Sequence, residues 1–145
     1  MTGKIFVLSF LLVAVFVINV NGQVKVPKAS DLTNTANLVL PSDKAEFEKD
    51  FLKALDPGTD LGISADNLTK LLGNNKSYVS DVMGILGGSD SNDSKLSKLT
   101  GKNKGWKTAA TSLLGDSTAG KYFAKVDNQL QSFKTKYQVA KLFLK

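Results

Sequence analysis

The chain has 145 residues, with 19 basic and 13 acidic side chains, and its formal net charge is +6 at pH 7. It contains no cysteine and no histidine, and every basic residue is a lysine, which excludes thiolate and imidazole metal sites, thiol or Ser-His-Asp nucleophilic catalysis, and bidentate recognition by guanidinium groups. We therefore expect a protein that is not an enzyme and that holds neither a cofactor nor a metal.

The N-terminus has the pattern of a secretory signal peptide. Lys4 precedes an apolar run at 5–18 in which one serine is the only polar residue, and Val20 and Gly22 suit the positions before a cleavage site. As a helix this run would rise only about 21 Å, against a hydrocarbon core of about 30 Å, so a transmembrane anchor is the less favoured alternative. We predict cleavage after Gly22, removal of residues 1–22, and a secreted or periplasmic protein.

Residues 23–42 are interpreted as a lead-in segment whose conformation the sequence leaves open. The stretch 24–27 favours an extended chain, whereas the pair Ser30-Asp31 is suited to cap a short helix. The remainder of the chain, residues 43–145, has the length of one domain. We expect this part to fold as a single all-α unit.

A first helix is predicted from Asp43 to Leu55. Asp43 and Glu46 have the spacing of a capping box, and the sequence Asp56-Pro57-Gly58 ends the helical pattern. The side chains expected on its buried face are Phe47, Phe51, Leu52 and Leu55.

An internal repeat follows this helix. Residues 68–89 align with residues 96–117 at an offset of 28 positions, with nine identities in 22 positions, and Tyr78 is aligned with Trp106. We interpret the match as a duplicated unit.

Each copy of the repeat predicts a helical hairpin, in which a glycine stops a short helix, a polar turn follows, and a second helix ends at another glycine. The glycines that end the first and the second helices are Gly73 with Gly101, and Gly87 with Gly115. The two hairpins are expected at about 65–87 and 94–115.

The last predicted element is a long amphipathic helix from about 118 to 144. Its apolar side chains recur every three or four residues, and they are Phe123, Val126, Leu130, Phe133, Tyr137, Ala140 and Leu144. Because neither hairpin can cover its own apolar face, we expect both to pack on this helix. The predicted fold is all-α: a small helical bundle of two related αα-hairpins plus a capped N-terminal helix, packed on a long C-terminal helix.

The turn inside each predicted hairpin is the first candidate site, for an anionic ligand. A helix N-terminus at this point would offer unpaired N–H groups, a neighbouring lysine and an aromatic face. The residues concerned are Asn75, Lys76 and Tyr78 in one copy, and Asn103, Lys104 and Trp106 in the other. Folding alone explains the same residues as caps, solvated lysines and core aromatics, and this is the simpler interpretation.

The second candidate site is a basic surface, because the charge is uneven along the chain. Residues 23–94 carry a net charge of −4, and residues 95–145 carry +9. The lysines expected on the terminal helix are Lys121, Lys125, Lys134, Lys136, Lys141 and Lys145. Such a surface would attract anionic material, unless the two halves of the chain pack together and neutralise part of it.

Two further patterns are interpreted as structural. The acidic stretch 88–94 lacks the glycine and glutamate that an EF-hand loop needs at its sixth and twelfth positions, so it is predicted to be a linker. Sequons occur at Asn67, Asn75 and Asn92, and they matter only in a host that glycosylates them.

From these features we expect an exported, small, non-enzymatic binding or interaction protein with a basic C-terminal half. Its expected partner is an extracellular or periplasmic protein, a glycan or an anionic surface, and no nucleic acid is expected because the protein is exported. The alternative is a cationic protein that associates with a membrane surface through its amphipathic C-terminal helix. A carrier with an apolar cavity is a third possibility, for which the sequence gives no positive sign.

Overall fold

The computed structural model describes residues 38–145. Within this range the protein is all-helical, with no strand and with 77% of the residues in four helices. The helices are α1 (Lys44–Ala54), α2 (Ala65–Gly87), α3 (Asn92–Lys136) and α4 (Ala140–Phe143). The predicted signal peptide and all but the last residues of the lead-in segment lie outside the described residues.

Helix α1 begins at its predicted cap and buries its predicted face. The Asp43 carboxylate accepts a hydrogen bond of 2.9 Å from the Glu46 amide, which satisfies one of the free N–H groups of the first turn. The other half of the capping box does not form, because the Glu46 carboxylate pairs with Lys136 instead. Phe47 and Phe51 are fully buried.

Helices α2 and α3 continue through the glycines at which the sequence predicted stops. Gly73 and Gly101 lie in helical turns, and neither has a positive φ. A glycine inside a helix costs only about 1 kcal/mol relative to alanine, and the buried side chains of Leu71 and Leu99 offset this cost. The predicted stops at Gly73 and Gly101 are therefore wrong, and each predicted hairpin is one continuous helix, whereas α2 ends at Gly87 as predicted. The duplication of the two segments stays a prediction.

The predicted stop at Gly115 is confirmed. Its φ of 72° and ψ of 159° divide α3 into two helical arms, at 92–114 and 116–136. This backbone conformation is essentially restricted to glycine. The break allows the second arm to take a new direction after the first arm has packed on α2.

Alanine substitutions should distinguish these two kinds of glycine. G115A is expected to lower the free energy of unfolding by about 1–3 kcal/mol, because alanine is strained at this φ although open space surrounds the added Cβ. G73A and G101A also point a Cβ into open space, but from regular helix, and each should raise stability by about 0.5–1 kcal/mol. Urea unfolding of the three variants tests whether Gly115 lies at a helix break and the other two glycines lie in regular helix. This assignment is contradicted if all three substitutions change stability in the same direction.

The predicted terminal helix ends earlier than expected, at Lys136. Tyr137 leaves helical geometry with a φ of −117° and a ψ of 93°, and its hydroxyl donates a hydrogen bond of 2.9 Å to the Asp50 carboxylate on α1. After this turn, Phe143 and Leu144 pack into the core. The prediction of one helix to residue 144 is wrong because the turn gains this hydrogen bond and this burial.

The core is formed by apolar side chains from all four helices and is rich in aromatic rings. Phe51 and Phe133 are stacked at 4.6 Å between ring centroids, and Phe47 lies edge-on to Tyr137 at 4.9 Å. Tyr78 stacks on Trp106 at 5.0 Å. The aromatic contacts therefore join α1, α2 and both arms of α3.

Candidate functional site

The predicted ligand turn around Asn75 and Asn103 does not exist, because both residues lie inside continuous helices. Asn75 is only 2% exposed, and Tyr78 and Trp106 are also buried. Lys76 and Lys104 are exposed. The interpretation of the aromatic residues as core side chains is confirmed, whereas the interpretation of the asparagines as helix caps is wrong.

Asn75 is instead the centre of a buried hydrogen-bond network. Its Nδ2 donates to the Leu55 carbonyl at 2.8 Å, and its Oδ1 accepts from Trp106 Nε1 at 2.8 Å. The Tyr122 hydroxyl lies 2.9 Å from the Leu55 carbonyl and 3.1 Å from Asn75 Oδ1. Burial raises the pKa of Tyr122 above its usual value, so this hydroxyl stays a proton donor. The network joins the end of α1, the middle of α2 and both arms of α3.

This network is a structural feature, not a ligand site. All polar atoms of the Asn75 amide point at protein partners, and the residue is too buried for the sequon at Asn75 to be glycosylated in the folded protein. The sequence did not reveal the network, since an asparagine close to a glycine is usually a turn residue. A signal for it was the spacing of four residues from Leu71 to Asn75 and from Asn75 to Val79, which places the asparagine on the apolar face of α2.

The predicted basic surface is partly neutralised by the acidic half of the chain. Lys136 contacts both Glu46 and Asp50 at 2.7 Å, and Lys125 is paired with Asp60. The hydrogen bond from Lys136 holds the pKa of Asp50 below its usual value, and the one from Lys125 does the same for Asp60. The two halves of the chain therefore pack against each other with complementary charges at these points.

Removal of the Asp50 charge is expected to change how stability depends on pH. The folded state lowers the pKa of Asp50 from 3.8. The contribution of Asp50 to the free energy of unfolding is therefore present above pH 3.8, and it is lost as the pH falls through the lower pKa of the folded state. D50N should therefore be less stable than the wild type at about pH 6, and the difference should shrink at about pH 3. Urea unfolding at both pH values measures this difference, and D66N, which removes an exposed carboxylate without a described ion pair, is the control.

The other lysines of the predicted surface are not paired within the described residues. No carboxylate of residues 38–145 lies within 4.0 Å of the ammonium group of Lys121, Lys134, Lys141 or Lys145. Lys145 is close to the first arm of α3, where it lines a groove together with Lys104, a member of the predicted ligand turn, and Lys107, to which the sequence gave no role. The predicted basic surface is thus divided, and Lys145 belongs to a different site.

That site is an open groove of about 690 Å³ between the first arm of α3 and the C-terminal segment. It is lined by Leu96, Thr100, Asn103, Lys104, Lys107, Thr108, Thr111, Ser112, Leu142, Phe143 and Lys145. Three of these residues are lysines, and none is acidic. We call this site the cationic groove. Of the sequence-predicted site residues, the groove brings together Asn103, Lys104 and Lys145.

The hydroxyl groups of the cationic groove are largely occupied by the helix itself. Thr100 donates to the Leu96 carbonyl at 2.8 Å, Thr111 donates to the Lys107 carbonyl at 2.9 Å, and Ser112 donates to the Thr108 carbonyl at 3.0 Å. Each of these protons is therefore used within α3. The donors that remain for a ligand are the ammonium groups of the three lysines, the Thr108 hydroxyl and the Asn103 amide, whose Oδ1 is buried without a described partner.

A small cavity continues from the cationic groove towards the core. Lys107 and Lys145 line both spaces, and Trp106 and Asp127 line only the smaller one. The Lys107 ammonium lies 5.9 Å from the centroid of the Phe123 ring, within cation–π range. The only tryptophan of the chain is thus a neighbour of the groove and can report on its occupation.

Comparisons with known proteins give no relative from which a function could be transferred. Neither protein-family models, nor curated proteins, nor solved structures match the chain. Among residues 38–145, no helix has both the length and the apolar character required to cross a membrane. The chemistry of the cationic groove is therefore the basis on which a function can be proposed.

Proposed function

We propose that this protein is an exported, non-enzymatic binding protein whose cationic groove takes an anionic ligand. The observation that carries the proposal is the presence of Lys104, Lys107 and Lys145 around one groove whose lining contains no aspartate or glutamate. A second cavity, of about 360 Å³, contains Lys136, but that ammonium is already held by Asp50 and Glu46. The cationic groove therefore brings together three lysines that have no described ion pair.

The chemistry of the cationic groove favours binding without catalysis. Its lining contains no aspartate or glutamate side chain that could act as a general base towards the serine or the threonines. Lysine presents a compact, strongly hydrated charge that recognises carboxylate, sulfate or phosphate groups without strict geometry. A protein, a glycan or an anionic surface outside the cell remains the expected class of partner. Export is proposed from the pattern of residues 1–22.

The alternative, membrane association through the amphipathic C-terminal helix, has less support. Its aromatic side chains Phe133, Tyr137 and Phe143 are buried in the protein core. Lys125 and Lys136 are engaged with carboxylates. The helix would have to leave the core to present its apolar face to lipid.

The emission of Trp106 tests the proposal. The probes are a polyglutamate peptide, a heparin oligosaccharide, oleate and phosphatidylglycerol vesicles, each titrated at about 0.05 M and about 0.5 M salt. We expect at least one probe to change the emission or to bind by calorimetry, and the binding to weaken at the higher salt concentration. If none of them binds, the proposal is wrong.

Two charge-matched variants locate the binding site. K104Q/K107Q/K145Q removes the three lysines of the cationic groove, and it should lose most of the binding. K44Q/K49Q/K70Q removes the same charge from three exposed lysines without a described ion pair, and it should keep the binding. Equal losses in both variants would show that net charge alone attracts the probe, and would overturn the assignment to the groove.

A further inference from the structure

We infer that the ligand of the cationic groove is an anionic single-chain amphiphile, a long-chain carboxylate bound as a monomer. This inference rests on the proposed function and adds the chemical class of the ligand. It requires an apolar path for the chain, a cationic position for the head group, and few other donors. The lining of the groove meets each of these requirements.

The apolar path is formed by side chains from two parts of the fold. Leu96 is 38% exposed, one of the few large apolar side chains that the described residues leave so open, and it lies on the groove. Leu142 and Phe143 line the same space from the C-terminal segment. From Leu96 to Ser112 the wall provided by α3 is about 24 Å long at 1.5 Å per residue, which is long enough to contact an extended alkyl chain.

Most hydroxyl groups of the wall do not favour a ligand rich in hydrogen-bonding groups, and only Thr108 and Asn103 keep side-chain donors without a described partner. Because Thr100, Thr111 and Ser112 donate to carbonyls of their own helix, they offer a ligand methyl groups and oxygen lone pairs but few protons. A glycan needs several directional donors for its hydroxyl groups, and a peptide needs partners for its amides. An alkyl chain needs neither and gains from the burial of its apolar surface.

The lysines of the cationic groove determine where the carboxylate head group of the ligand would lie. Lys107 and Lys145 line both the groove and the small cavity beside Trp106, which Asp127 and Lys134 also line. A carboxylate on the groove side of this junction would meet the two ammonium groups, with Lys104 one turn away along α3. Charge complementarity therefore points to a separate anionic molecule.

A comparison of three small probes tests the inference. The protein is used in the form that the expressing cell exports. Oleate has both the anionic head and the chain, butanoate has the head with a short chain, and oleyl alcohol has the chain without the charge. We expect oleate to bind at least about tenfold more tightly than either of the others, since burial of several methylene groups and the ion contact both contribute. Trp106 emission and calorimetry measure the affinities.

A matched pair of leucine variants separates the path of the chain from general effects. L96N should weaken oleate binding about fivefold, because it places a polar group on the apolar path. L72N changes a leucine that is 46% exposed and does not line the cationic groove, and it should leave the affinity unchanged. Circular dichroism and urea unfolding establish that both variants are folded before the affinities are compared.

Every other outcome shows whether the inference about the ligand or the proposed function is wrong. If oleate and butanoate bind equally, or if polyglutamate or heparin binds through the three lysines and oleate does not, the inference about the ligand is wrong and the proposed function stands. Binding to phosphatidylglycerol vesicles without binding of monomeric oleate would likewise replace the amphiphile with a membrane surface. If no anion binds, the inference and the proposed function fail together.

Discussion

Replacement of Asn75 with alanine is expected to lower the free energy of unfolding by about 2–4 kcal/mol, since it removes a buried amide and leaves a buried donor without its partner. Trp106 Nε1 donates to Asn75 Oδ1, and the structure gives this N–H no other partner among the described residues. The Leu55 carbonyl keeps its contact with the Tyr122 hydroxyl. The largest part of the lost stability should therefore come from the indole N–H that is left without a partner. Urea unfolding monitored by circular dichroism measures the total change in the free energy of unfolding.

The adjacent asparagine is the matched control. Asn74 is partly buried, and its Nδ2 donates to the Trp106 carbonyl at 3.2 Å. N74A should cost less than about 1 kcal/mol, because the carbonyl already belongs to a helix and water can replace the amide. Similar losses in N74A and N75A would show that the buried network has no special role in stability.

A double-mutant cycle with Tyr122 measures the coupling inside the network. Y122F removes one hydroxyl but leaves the Leu55 carbonyl and Asn75 Oδ1 each with another partner, so its cost should be closer to about 1 kcal/mol. The effects of N75A and Y122F should not add, because both side chains contact the Leu55 carbonyl and the Tyr122 hydroxyl also contacts Asn75 Oδ1. Additive losses would indicate that the two hydrogen bonds act independently.

The example of Asn75 shows why the class of fold was predictable from the sequence and the path of the chain was not. Apolar side chains at helical spacing correctly predicted α1 and the burial of Phe47, Phe51 and Leu55, because this spacing directly reflects which face is buried. Asn75 and Gly73 have local preferences for turns, but tertiary contacts with Trp106, Tyr122 and Leu55 outweigh them. Such contacts join residues 20 to 47 positions apart, and the pattern of a single segment does not contain them.

The candidate site was predictable only in parts. The basic character of residues 95–145 was visible from the sequence, as was the presence of Lys104 and Lys145 among candidate residues. Their assembly depends on the turn after Lys136, which brings the C-terminal segment to the first arm of α3. A helix continued to residue 144 would have separated them. Lys107 was missed because neither the repeat nor the terminal helix gave it a role.

Lys95 is the second residue at which the sequence gave no warning of a structural role. A lysine in the first turn of a helix is unfavourable for the helix dipole, and the composition suggested only another exposed charge. In the structure Lys95 is 6% exposed, and its ammonium group donates to the Leu38 carbonyl at 3.1 Å and to the Leu86 carbonyl at 3.0 Å. It thus satisfies a carbonyl in the last turn of α2 and holds the segment that leads into α1.

Replacement of Lys95 with methionine is expected to lower the free energy of unfolding by about 2–3 kcal/mol, because methionine keeps most of the apolar stem and leaves two carbonyls without their charged donor. K98M is the control, since Lys98 is three residues away and forms an ion pair with Asp90 in which both side chains are roughly half exposed. That exposed pair should contribute less than about 1 kcal/mol. Urea unfolding of the two variants gives the comparison.

Hydrogen exchange tests where the loss in K95M occurs. If Lys95 anchors the incoming segment, exchange of the amides at 38–40 should increase in K95M more than in K98M, under conditions in which both variants remain folded. The amide of Val82 in the middle of α2, whose side chain is fully buried, should then follow only the global stability. Equal stability of K95M and K98M, with unchanged exchange at 38–40, would show that the two buried hydrogen bonds of Lys95 only offset its desolvation.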